Sequence, residues 1–297
     1  MNIALDGAAP RLAFLGPSAL VPHMLGTCDW ASTRLFLVER GNAAPVLAEV
    51  RSWAPDVCLV LSPETWRAED VQALPGLKVG VVAAPLYEPA LLAHLSGLVH
   101  PTPGGFHWLT WPENPWPEAL KGLPVLQTLP LPVDVSALPA RPRFESLEVV
   151  VPEWTMTPPK VLEELRRLGP IRMLPARLEG VALRDAVAEA GVLVYCSRDV
   201  LGRLDPLPLY ALAAGVLLVT DAPFPQDWGI EWEDEYLHKP HETLAGTVEE
   251  ARKLPQNYQP VRMRAWQKVR ELFEASSAYR RLVHDARLFS SHLTGGT

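Results

Sequence analysis

The stretch "AVAEAGVLVYCSRDVLGRLDPLPLYALAAGVLLVTD", residues 186–221, decides the fold. It opens in a helical run that stops at Gly191. "VLVYCS" (192–197) follows, a continuous apolar run of the kind buried on both faces of a parallel sheet. A polar loop then leads to a second helix, "PLPLYALAAG", which ends at Gly215 and turns straight into "VLLVTD" (216–221). Strands alternating with helices in this way predict βαβ units and an open parallel sheet.

The same alternation extends outward in both directions. Upstream, "LEVVV" (147–151) reads as a strand, "TPPKVLEELRRLG" (157–169) as a helix with Thr157 as N-cap, "IRMLP" as a strand and 182–191 as a helix. Downstream, residues 260–293 read as long helical material. The first half carries strands at 11–16, 32–39, 56–62 and 78–85, with a helix over 42–55 whose Val46, Leu47, Val50 and Trp53 share one side. Residues 100–118 are rich in proline, glycine and tryptophan and read as irregular; 123–134 reads as strand-like. "SALPARPRFES" (136–146) has the composition of a linker. Two α/β units in tandem are expected, over residues 1–137 and 147–275, joined by 138–146.

Composition bounds the partners. Hydrophobic residues at 48% and charged residues at 21% describe a globular chain, and a net charge of -7 opposes a nucleic-acid role. From residue 251 onward, however, nine Lys/Arg stand against three acids. They form either a peripheral contact for anionic lipid or a phosphorylated ligand, or an ordinary solvated helix face. Cys28, Cys58 and Cys196 have neither disulfide-framework nor zinc-motif spacing, and Asp6 with no basic segment before the apolar run argues against a signal peptide. A cytoplasmic location is expected. The 31 prolines and four asparagines give a thermophile-like composition, which bears on stability alone.

The 186–221 stretch resembles the second domain of a GT-B glycosyltransferase, in which a helix ending in E-A-L-A-x-G leads into a buried strand. "GIEWEDEYLHKPHETLAGTVEEARKLP" (229–255) is similar to that family's donor-side strand and following helix, and "VRSWAPDVCLVLSPE" and "LPGLKVGVVAAP" to units of its spore-maturation-type members. The resemblance implies two Rossmann-like domains with parallel sheets facing across a cleft, a nucleotide-sugar donor held mainly by the second, an unidentified acceptor, and a terminal helix (276–297) that crosses back to the first domain. No cofactor beyond the nucleotide-sugar substrate is implied.

Such a reaction leaves an anionic nucleoside diphosphate, so donors and positive charge are needed at strand carboxyl ends and helix N-termini. The donor-binding candidates are Gly16 and Ser18 after the first strand, Lys160 early in a helix, and Ser197, Arg198, Asp199, Gly202 and Arg203 in the loop after "VLVYCS". The backbone of Leu207 is a further candidate against the diphosphate. Each also has a structural reading, as part of a plain βα loop or, for Lys160, as an exposed helix residue. Tyr210 stands where the resemblance implies a glutamate binding ribose hydroxyls, and a phenol cannot offer two anionic acceptors to a diol. Gly202 stands where a second acid is common. His107, Trp108 and Trp111 are acceptor-side candidates; tryptophans between prolines stack on sugars or pack loops onto a core. No catalytic base is nominated. No D-x-D sequence or His/Cys ligand set appears, so a metal-independent reaction is expected. Two functions follow: an active glycosyltransferase, or a GT-B-shaped binding or assembly protein without catalysis. An NAD enzyme is opposed by the lack of G-x-G-x-x-G after either first strand.

Overall fold

The structure, a computed structural model, describes residues 9–17, 28–39, 43–82, 89–99, 104–111, 124–128, 132–136, 138–176, 180–197, 205, 207–225 and 228–294. The chain divides into two compact units: Met1–Pro132 with Ala275–Thr297, and Val133–Glu274.

The first unit contains β1 (Arg11–Gly16), β2 (Ser32–Leu37), α1 (Ala43–Trp53), β3 (Val57–Leu61), a single 3-10 turn (Pro63–Thr65), α2 (Ala68–Gln72), β4 (Leu77–Val81), α3 (Pro89–Gly97), β5 (Trp108–Trp111) and β6 (Val125–Thr128). All six strands are parallel, in the order β2-β1-β3-β4-β5-β6. Every residue of β3 is buried, as its unbroken apolar sequence requires; β2 lies at the edge and alternates. Leu15, Phe36, Leu47, Val50, Val60 and Leu95 belong to one core. The region read as irregular contains β5, whose Trp-Leu-Thr-Trp sequence sits between proline-rich flanks that mask its period.

The second unit contains β7 (Val149–Pro152), α4 (Pro159–Leu168), β8 (Ile171–Leu174), α5 (Gly180–Ala188), β9 (Val192–Tyr195), α6 (Leu207–Ala214), β10 (Leu217–Thr220), β11 (Leu237–His238), α7 (His241–Lys253) and α8 (Pro255–Leu272). Its five strands are also parallel, ordered β11-β10-β9-β7-β8. Thr157 does not cap α4: Pro158 precedes the first turn, and the Thr157 hydroxyl instead bonds Thr155 at 2.9 Å. All eight residues of α6 are buried, because α5 and α8 pack against it. Gly215 ends that helix at φ 75°, with its N–H on the Leu212 carbonyl and the Val216 N–H on the Ala211 carbonyl, both at 2.9 Å. This is a Schellman arrangement, and it releases the chain directly into β10.

Helical material from 255 onward breaks at Phe273–Glu274 into α8 and a closing helix, α9 (Ala275–Thr294), which belongs to the first unit. There Tyr279 meets Phe14 of β1 edge to face, with centroids 4.8 Å apart, and the Trp30 indole donates to the Ser276 carbonyl at 2.9 Å.

Residues 138–146 are not a free linker; they pack within the second unit, which begins at Val133. Two arginines hydrogen-bond them in place. Buried Arg262 donates to the carbonyls of Gly215 (2.6 Å), Arg143 (2.9 Å) and Phe144 (3.3 Å), while Arg270 reaches those of Pro139 (2.6 Å) and Ala213 (3.2 Å). Part of the basic excess after residue 251 is thus engaged internally. Arg264 and Lys268 pair with Asp234 and Glu235, Lys253 with Glu249, and Arg252 reaches the Leu168 carbonyl. Arg280 and Arg281 are exposed on α9. Among the described residues no helix is long and apolar enough to cross a membrane.

Candidate functional site

In each sheet the chain places its second strand on one side of the first, then crosses to place the third on the other. The order reverses between β1 and β3 in the first unit and between β7 and β9 in the second. Open α/β sheets bind ligands outside the carboxyl ends of strands at this reversal, where diverging loops leave a crevice.

In the second unit, one carboxylate ties the two sides of that crevice together. Asp205 Oδ2 accepts hydrogen bonds from the Trp154 indole, in the loop after β7, and from the Tyr195 hydroxyl, at the end of β9, each at 2.8 Å. Its Oδ1 accepts the Leu207 N–H at 2.9 Å. Burial, with the Asp205 charge adding to it, pushes the Tyr195 phenol far above its ordinary pKa, so it remains a donor. One strand over, Asp221 directly follows β10 and accepts the Ser197 N–H on Oδ1 at 2.9 Å. His241 Nε2 bonds its Oδ2, and His238 Nε2 bonds its backbone carbonyl at 3.0 Å. Burial pushes the neighbouring Cys196 thiol up to about 11; Asp221 adds to this and a Thr157 hydrogen bond opposes it.

These contacts revise several expectations. The Leu207 N–H, a candidate for a diphosphate, is already bonded to Asp205, and the backbone N–H of Ser197, itself a donor-binding candidate, to Asp221. Tyr210 is 2% exposed, so it offers a ligand almost no surface. Burial raises its pKa, the Asp134 charge adds to this and Arg184 opposes it. Lys160 lies exposed in the first turn of α4. Arg198, Asp199, Gly202 and Arg203 fall outside the described residues.

In the first unit, Gly16 ends β1 at the reversal, while Ser18 falls outside the described residues. His107 and Trp108 lie at the wrong edge for an acceptor: they stand at the amino end of β5, and His107 Nδ1 accepts the Lys78 N–H at 3.2 Å near the start of β4. The carboxyl edge is at the other end of these strands. Trp111 ends β5 there.

The sequence reading missed Glu64. It follows β3 at the reversal, in the 3-10 turn opened by Ser62, whose φ of 51° and ψ of 54° are left-handed. Glu64 is 3% exposed and, among the described residues, neither carboxylate oxygen meets a partner at hydrogen-bonding geometry. Burial pushes it up to about 7, against smaller opposing effects of its own backbone N–H and the Ser62 hydroxyl. An acid three residues after an apolar strand, in "VLSPET", was the available signal. Buried unpaired carboxylates and strained backbone are features that active sites share.

Two Rossmann-like units with parallel sheets, each reversing after its second strand, define the GT-B class of fold. Solved structures agree. The Anabaena protein Alr3699/HepE, crystallised with UDP and glucose, aligns at a TM-score of 0.59 and 11% identity, covering 95% of this chain and all of its own. AviGT4, a glycosyltransferase involved in avilamycin A biosynthesis, aligns at 0.57 and 12%, covering 97% of this chain and 99% of its own. An alpha-glucosyltransferase solved with UDP-glucose and DNA containing an abasic site aligns at 0.58 and 7%, covering 94% of this chain and all of its own. No protein-family model and no curated protein matches the sequence.

Proposed function

We propose that the chain is a glycosyltransferase that takes its sugar from a nucleotide-activated donor, bound at the carboxyl edge of the second sheet between the loops after β7 and β9. The observation that carries this reading is likeness over nearly the whole chain to two glycosyltransferases, one of them solved with UDP-glucose, and to a protein crystallised with UDP and glucose. Lys160 supplies positive charge beside that crevice, and Asp205 accepts hydrogen bonds there from Trp154, after β7, and Tyr195, at the end of β9. The nucleotide-sugar is the substrate.

A second reading is favoured by the state of the donor-side groups. Tyr210 is buried, and the Leu207 and Ser197 N–H groups are engaged, as in a GT-B-shaped protein that binds or assembles without catalysis. Thermal shift against UDP-, GDP-, ADP- and dTDP-sugars tests the first reading. A donor at ~100 times its dissociation constant adds about 2.7 kcal/mol and raises the melting temperature by several degrees. Absence of a shift with all four classes rejects donor binding; a shift without release of nucleoside diphosphate selects the second reading.

A further inference from the structure

Three adjacent strands of the second sheet deliver three different metal-ligating side chains to one place. Cys196 directly follows β9, Asp221 directly follows β10, and His241 opens α7 shortly after β11. Because β9, β10 and β11 lie side by side and run parallel, groups just past their carboxyl ends converge. The cysteine sulfur, a carboxylate oxygen and an imidazole nitrogen lie within 4.8 Å of one another, the one such group among the described residues. From this convergence we infer that Cys196, Asp221 and His241 form a binding site for a divalent ion of the zinc class, with a fourth position open to water or an anionic ligand.

The donor set selects the ion. Sulfur and imidazole nitrogen suit Zn²⁺ or Co²⁺, whereas Mg²⁺ and Ca²⁺ take oxygen ligands. Thiolate and carboxylate together neutralise the two charges of the ion, and the imidazole binds neutral. As the metal–sulfur bond forms, the thiol proton passes to solvent, and the ion takes the place of the hydrogen bond between His241 Nε2 and Asp221 Oδ2.

The supporting contacts are already made. The Ser197 N–H holds Asp221 Oδ1 at 2.9 Å and turns Oδ2 toward the cluster, while the Cys196 carbonyl is fixed by the Met156 N–H at 3.1 Å. Such outer contacts orient ligands before the ion arrives. Cys196 is buried and the His241 side chain is 44% exposed, so the ion enters past the imidazole. A His241–Asp221 hydrogen bond beside a core cysteine whose sulfur meets Thr157 is the competing description, and it gives the sulfur no metal bond.

Cobalt separates the two. Full-length protein is stripped with chelator and titrated with Co²⁺ alone. We expect a near-ultraviolet thiolate-to-cobalt charge-transfer band and visible bands of tetrahedral intensity, saturating at an equimolar ratio and lost on adding Zn²⁺. Cys196→Ser removes the ultraviolet band. His241→Ala, at an exposed position that does not threaten folding, weakens Co²⁺ binding roughly tenfold or more. Cys58→Ser, in the other unit, changes neither. Absence of these bands from the unaltered protein, or bands that persist unchanged in both Cys196→Ser and His241→Ala, overturns the site. The titration uses no nucleotide or sugar, so its outcome is independent of the proposed activity.

Discussion

Glu64 keeps a proton in the folded chain that the unfolded chain releases, since its pKa rises from 4.5 to about 7. Folding therefore loses stability as pH rises from about 4.5 to about 7, by roughly 3 kcal/mol, and the loss is complete above that window. Glu64→Gln should remove this slope and make the variant more stable than wild type at pH 8 but not at pH 4; urea midpoints at the two pH values measure it. Tyr210 argues the other way about charge. Placing glutamate there buries a carboxylate beside Asp134, so Tyr210→Glu should cost about 3 kcal/mol or more rather than restore a ribose contact, as read from a denaturation midpoint. Site residues were only partly legible in the sequence for this reason. Residue type and spacing pick out Ser197 and Leu207, but whether their N–H groups are free depends on Asp221 and Asp205, which tertiary folding supplies.

Elements were more legible than sites. Apolar runs such as "VLVYCS" and "VLLVTD" announce buried parallel strands, and Gly215 announces where α6 must stop. What the period could not show was β5, whose tryptophans sit among prolines, or the break between α8 and α9. Gly215 also carries the sharpest element-scale prediction. Its φ is 75°, and an added Cβ would lie 2.4 Å from Pro142 Cβ. Gly215→Ala should therefore destabilise the second unit by about 2–4 kcal/mol, combining left-handed strain with overpacking, as a lower urea midpoint at unchanged slope.

At the scale of the whole molecule, the first unit draws on both ends of the sequence and the second is continuous. Tyr279, fully buried against Phe14, locks the returning α9 to β1. Tyr279→Ala should cost about 3–5 kcal/mol, and the loss should fall on the first unit, exposing its fragments to limited proteolysis while residues 133–274 remain resistant. The same connectivity sets an order of events on the ribosome. A sheet begun at residue 11 must wait for α9 until the intervening unit has been translated, on the order of ten seconds or more at ordinary elongation rates. The half made second can mature before the half made first, and during that interval the apolar flank of β1 that Tyr279 will cover is open to chaperones and to neighbouring nascent chains.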